Sequence, residues 1–136
     1  MSDLHTNLVL SSTPESVDKV LPFVDTVAQR YNLSADRYGN ILVSLTEAVN
    51  NAIIHGNGAD CTKTVSISLR KQKDALAIRV SDEGCGFNPE TVPDPTAIEC
   101  IERCGGRGLF LIKKLSDECR FMRNGSTVEM RFKLEM

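Results

Sequence analysis

No apolar run in this chain approaches the about 18 residues that a bilayer crossing requires, so no membrane contact is expected. Positive charge is not in excess either. Sixteen Lys and Arg stand against 18 Asp and Glu, a formal net charge of −2. Domains that hold nucleic acid present a basic face to its phosphates, so nucleic acid is not an expected partner. The opening residues, Met1-Ser-Asp-Leu-His-Thr-Asn7, lack a basic stretch leading into an apolar one. No secretory signal is expected there, and the cytoplasm is the expected compartment.

Several familiar signatures are also missing. There is no G-x-x-x-x-G-K-[ST] loop and no G-x-G-x-x-G after a strand, which disfavours P-loop and Rossmann folds. The H-R-D and D-F-G set of ordinary protein kinases is absent. No Ser-His-Asp or Cys-His arrangement stands out. The cysteines number five, an odd count that reads as free thiols in a reducing compartment. Cys100 and Cys104 are spaced to share a helix face. They read either as half a metal site or as two small, partly buried side chains. No second Cys or His pair has ligand spacing, which favours the second reading.

What is present suits one domain spanning 1–136. A chain of 136 residues can bury roughly two-thirds of its unfolded surface without a disulfide or metal. Hydrophobic residues make up 41% and charged residues 25%, an ordinary balance for a packed domain. Leu8-Val-Leu10 reads as a short opening strand. Thr13-Pro14-Glu15 is a helix start, with a hydroxyl cap, a proline in the first turn and an acid behind it. Val17, Val20, Leu21, Val24, Val27, Ala28 and Tyr31 then recur at spacings of three and four, which predicts an amphipathic helix.

Ser34 can cap a second helix. Its core stripe is Tyr38, Ile41, Leu42, Leu45, Ala48, Val49, Ala52 and Ile53, and its polar stripe is Asn40, Ser44, Glu47, Asn51 and His55. It should end at Gly56-Asn57-Gly58, where left-handed backbone is easy. Thr64 to Leu69 alternates as a strand, residues 71–74 turn the chain, and Ala75 to Ser81 forms the next strand. Residues 84–105 hold three prolines and little periodicity, and so long an irregular stretch in a small domain is usually functional. Gly108 to Leu115 reads as helix. Cys119 to Met122 and Thr127 to Leu134 read as a closing hairpin around Asn124-Gly125. The predicted class is α+β, a two-layer sandwich with helices on one face of a mostly antiparallel sheet.

Chemistry concentrates in three segments. In Glu47-Ala-Val-Asn50-Asn51-Ala-Ile-Ile-His55-Gly56, the residues Glu47, Asn51 and His55 lie one helical turn apart. Asn51 offers a neutral amide oxygen, suited to a magnesium ion that also holds phosphates. Glu47 is placed to take a proton from an attacking hydroxyl or water. A solvated helix face is the competing reading of the same residues. Asp82 ends a strand and opens Glu83-Gly84-Cys85-Gly86. A carboxylate there can accept from a planar donor such as the adenine amine, with glycines allowing close approach; a hairpin-type turn is the alternative. Gly105-Gly106-Arg107-Gly108 runs directly into Leu109. That is either a phosphate-binding loop on a helix N-terminus, with Arg103 and Arg107 as cationic partners, or a flexible helix entry.

In this order the three segments resemble the boxes of the GHKL (histidine-kinase-like) ATPase superfamily and its Bergerat fold. The match runs from the first helix to the last strand. More closely, the chain resembles the bacterial anti-sigma regulatory factors, which are serine/threonine protein kinases. The pattern E-A-V-x-N-A-x-x-H-G falls on residues 47–56, D-x-G-x-G on Asp82, Gly84 and Gly86, and the second glycine box on Gly106, Gly108 and Leu109. That box reads Arg103-Cys-Gly-Gly-Arg-Gly108, one glycine more than the Arg-Ser-Gly-x-Gly of the switch kinases.

The resemblance implies ATP and Mg2+ as cofactors, with Glu47 as catalytic base and Asn51 as metal ligand. It implies a nucleotide site of Asn51, His55, Asp82, Gly84, Gly86, Gly106, Arg107, Gly108, Leu109 and Thr127, and a lid at about 87–105. It also implies phosphorylation of an anti-anti-sigma (STAS-domain) partner, association with a sigma factor, and homodimerisation. A nucleotide-gated sequestering module and a simple GHKL ATPase are the alternative functions.

Overall fold

Alternating strand residues and three-four helix residues build two layers. The structure, a computed structural model, describes residues 5–84, 106–123 and 126–134. Five strands form one antiparallel sheet: β1 (His5–Ser11), β2 (Thr64–Gln72), β3 (Ala75–Ser81), β4 (Glu118–Met122) and β5 (Thr127–Lys133), in the order β1-β2-β3-β5-β4. Among the described residues three α-helices accompany it: α1 (Val20–Tyr31), α2 (Ala35–Asn51) and α3 (Gly106–Leu115). Among the described residues no helix is long and apolar enough to cross a membrane.

Strand alternation decides which side chains meet the helices. Leu10 of β1, Val65, Ile67 and Leu69 of β2, Leu76, Ile78 and Val80 of β3, and Val128, Met130 and Phe132 of β5 all join one core with Val24, Ile41, Leu45, Val49 and Ile112 of the helices. Each large side chain fully withdrawn there contributes roughly 1.5–3 kcal/mol. The opposite face is polar and carries Arg79, Arg120, Glu129 and the exposed Val9. The expected α+β sandwich is thus the observed one.

Local corrections follow from packing. Thr13 does not cap by its side chain; its hydroxyl pairs with the Ser16 hydroxyl at 3.1 Å, and Pro14–Lys19 begins as a 3-10 helix. On α1, Leu21 points outward and Phe23 inward, the reverse of the simple stripe. On α2 the core stripe holds, and Ser34 caps as expected, accepting from the Arg37 N–H at 3.2 Å. Ser44, however, is fully buried rather than solvated, on a helix against which α3 packs. Strand β2 runs on to Gln72, so only Lys73 and Asp74 remain for the turn, with Lys73 at φ 52°. The Asn124-Gly125 turn, the lid at 87–105, and Cys85, Cys100 and Cys104 lie outside the described residues. Among those described, Cys61 and Cys119 are free thiols.

Candidate active site

The last two turns of α2 carry Glu47 and Asn51, both half-buried at the margin of the core stripe. One turn separates them, so a carboxylate and a carboxamide stand on one face. The amide nitrogen of Asn51 is buried and has no hydrogen-bond partner among the described residues. Leaving such a group unpaired costs about 1–3 kcal/mol, so a further partner for this amide would be favourable. Rotating the amide by half a turn presents its oxygen at the same spot, the donor type that magnesium takes.

Beyond Asn51 the helix widens. Residues Ala52–Gly56 form a π-helical turn, closed by the Asn57 N–H donating to the Ala52 carbonyl at 2.8 Å. Such single wide turns recur at functional sites. Here the turn brings Gly56 against the end of β3. A Cβ on Gly56 would lie 2.3 Å from the Asp82 carboxylate, and one on Gly84 would lie 1.8 Å from the Gly56 carbonyl oxygen. A side chain at Gly84 would meet backbone, and one at Gly56 would have to displace the Asp82 carboxylate. The two glycines let the helix end and the Asp82 turn meet backbone to backbone, so the first and second motif segments form one site.

Asp82 is held in that contact from both sides. Its N–H donates to the Ser126 carbonyl at 2.9 Å, extending the β3–β5 ladder by one step. Its Oδ1 accepts from the Gly84 N–H at 2.8 Å. Burial pushes its carboxyl above the ordinary value, and the Gly84 bond and the Lys63 charge pull the other way without cancelling the rise. A half-buried carboxylate beside a bare backbone is suited to accept from a flat donor.

The remaining candidate residues divide. His55 falls on the π-helical turn and is exposed. Gly106 begins α3, the helix packed on α2, so the second glycine box does open a helix. Gly86 lies outside the described residues, and so do the side chains of Arg107 and Leu109 and the surroundings of Gly108. Thr127 opens β5. Its hydroxyl bonds to that of Ser81 at 2.9 Å, and Ser81 and Thr127 are register partners next to the core pair Val80 and Val128. Strand alternation therefore turns Thr127 to the sheet face away from the helices, whereas Asp82 turns toward them.

One residue that sequence reasoning took only for a helix stop is central. Asn57 is 3% exposed and spends its whole side chain inside the protein. Its Nδ2 donates to Ser12 Oγ at 2.7 Å and to the Thr64 carbonyl at 2.9 Å, and its Oδ1 accepts from the Glu83 N–H at 2.7 Å. Ser12 and Glu83 are remote in sequence, and no local pattern announces them. The only available sign was an Asn between two glycines.

Comparison with known proteins agrees with this geometry. The histidine kinase-like ATPase domain matches residues 10–132. A serine-protein kinase RsbW of Bacillus licheniformis is 31% identical over 126 residues, covering 86% of this chain and 78% of that protein. The serine-protein kinase RsbW of Bacillus subtilis is 30% identical over 136 residues, covering 93% of this chain and 83% of its own length. Among solved structures, the crystal structure of the RsbU and RsbW domains of a Mycobacterium tuberculosis protein superposes with a TM-score of 0.69 at 18% identity. That likeness concerns the fold; it covers 96% of this chain but only 32% of the longer one.

Proposed function

The chain belongs to the histidine kinase-like ATPase domain family, and from that membership we propose that it is an ATP-dependent serine/threonine protein kinase of the anti-sigma type. Its substrate in this reading is an anti-anti-sigma partner of the STAS fold, and a sigma factor is the target it holds and releases. The names of its relatives favour a serine-protein kinase. The observation that carries the reading is the docking of Gly56 on Asp82 and Gly84, with the orphaned Asn51 amide on the turn before. The reading extends to a single domain over 1–136 with a lid at about 87–105, a cytoplasmic location and a homodimer.

The roles follow from the chemistry of each group. Asp82 accepts from the exocyclic amine of adenine, while Gly56 and Gly84 let the ring approach the backbone. The start of α3, with Gly106, Arg107, Gly108 and Leu109, faces the phosphates, and His55 lies at the rim. Asn51 would hold magnesium, which when bound offsets the charge of the phosphates. Glu47 orients the serine hydroxyl of the partner and accepts its proton as the oxygen bonds to the γ-phosphorus. The bond from that phosphorus to the bridging oxygen breaks, and ADP leaves.

The test uses γ-labelled ATP and a STAS-domain protein from the same organism. Wild-type protein should place acid-stable label on a serine or threonine of the partner. Glu47→Gln should lower that transfer by about 10²-fold or more, the usual size of a lost general base. Its ATP affinity should stay within a few-fold. Tight nucleotide-dependent association without label, or release of free phosphate alone, would replace the kinase with a sequestering module or an ATPase.

A further inference from the structure

Asn57 ties the turn that carries Asp82 to the helix layer, and we infer that it is a positioning residue that sets base recognition at the proposed ATP site. The inference rests on the reading of that site as an adenine pocket. Three successive backbone N–H groups govern where the Asp82 carboxylate sits. That of Asp82 donates to Ser126 on β5, and that of Gly84 donates to Asp82 itself. Only the N–H of Glu83 reaches toward α2, and it ends on Asn57 Oδ1 at 2.7 Å. The base-recognising carboxylate is thus tied to the helix layer by the Asn57 bond and to the sheet by the Asp82 N–H, with the Glu83 carboxylate accepting from Thr64 of β2 as a further tie to the sheet.

The choice of asparagine follows from its two ends. The Oδ1 end must accept from Glu83, and the Nδ2 end must donate to both Ser12 Oγ and the Thr64 carbonyl. A carboxamide does both at once; a carboxylate accepts but does not donate, and a hydroxyl is too short to span all three. The π-helical turn is what delivers it, because the Asn57 N–H closes that turn on Ala52. At 3% exposure the side chain sits beneath the site and does not touch a ligand, so it acts through Asp82.

The experiment compares ATP with inorganic tripolyphosphate, which keeps the phosphates and lacks the base, using calorimetry on the full chain. Asn57→Ala removes all three bonds. It should weaken ATP by about tenfold or more and leave tripolyphosphate within about twofold. Asn57→Asp keeps an acceptor for the Glu83 N–H while losing both donated bonds. It should unfold at a lower temperature than wild type yet retain most of the wild-type preference for ATP over tripolyphosphate. Ser12→Ala, which cuts the hub without touching the Glu83 bond, should behave likewise. Equal weakening of both ligands in Asn57→Ala, or loss of the preference in Asn57→Asp and Ser12→Ala as well, would make Asn57 a structural residue only. A wild-type protein that binds tripolyphosphate and ATP equally would instead overturn the adenine pocket on which the inference stands.

Discussion

Two carboxylates in this protein are perturbed in opposite senses, and the signs lead to opposite pH behaviour. Burial pushes Asp82 up, and its hydrogen bond and the Lys63 charge recover only part. Its ionised form therefore burdens the fold at neutral pH, and the burden lifts as the pH falls through the folded pKa toward that of the unfolded chain. Asp82→Asn should accordingly melt above wild type at pH 7, with the gap closing on acidification through the carboxylate range. The same variant should bind adenine nucleotides weakly, because the amide presents a donor where an acceptor is needed. A pH-independent gap in paired melting curves would contradict the burial account. Glu129 is the mirror case. Burial alone would raise it, but Arg79 at 2.7 Å and Arg120 at 2.9 Å outweigh that and hold it low. Its contribution is present above the unfolded pKa and fades as the pH falls through the folded one. Glu129→Gln should therefore melt below wild type at pH 7 and converge with it in acid. Such a stability–function opposition at Asp82, absent at Glu129, is what a binding carboxylate shows and a structural one does not.

Secondary elements were legible wherever one face is buried. The period-two run of β2 and the stripe of α2 state their buried faces directly, and both core sets lie where periodicity put them. Legibility failed where a contact depends on a different element. Ser44 is buried although it sits on the polar stripe of the helix that α3 covers, and the face that Thr127 takes is set by its register with Ser81 of β3. The π-helical turn was also illegible, since nothing in Ala52–Gly56 departs from helical spacing; it coincides with the close approach of Gly56 to Asp82, a contact remote in sequence. That docking makes a prediction about elements. A methyl on Gly84 would stand 1.8 Å from a backbone oxygen, so the turn must move. Gly84→Ala should cost about 1–3 kcal/mol by overpacking and abolish nucleotide binding together with it. Ser34→Ala, at the far end of α2, should cost about 1 kcal/mol through the lost cap and leave binding intact. If denaturant titration shows equal stability loss with binding preserved in both, the helix–turn contact is not part of the site.

At the scale of the whole molecule, the proposed site is assembled from segments distant in sequence: the end of α2, the end of β3 and the start of α3. The residues proposed to bear on chemistry, Glu47, Asn51 and Asp82, each sit in a short motif that the sequence displays. The residue that joins the first two of these segments was not legible, because Asn57 reaches partners 45 and 26 positions away. A ligand gripped by all three segments binds only the folded chain, so its binding energy becomes folding energy. ATP with magnesium at 100 times its dissociation constant should stabilise the protein by about 2.7 kcal/mol, a melting shift of several degrees. Magnesium should carry a distinct share of that shift. In the proposed site Asn51 has a buried amide nitrogen without a partner among the described residues, and a cation would complete the group if the oxygen were turned inward. Asn51→Ala removes that ligand and also removes the orphaned polar group, so the apo variant should lose little stability or even gain some. In thermal shift with ATP, wild type should respond more with magnesium than with a chelator, and Asn51→Ala should give nearly the chelator response in both. A variant whose metal-free response falls as far as its metal-bound response would remove Asn51 from the metal site and make it a direct contact to the nucleotide.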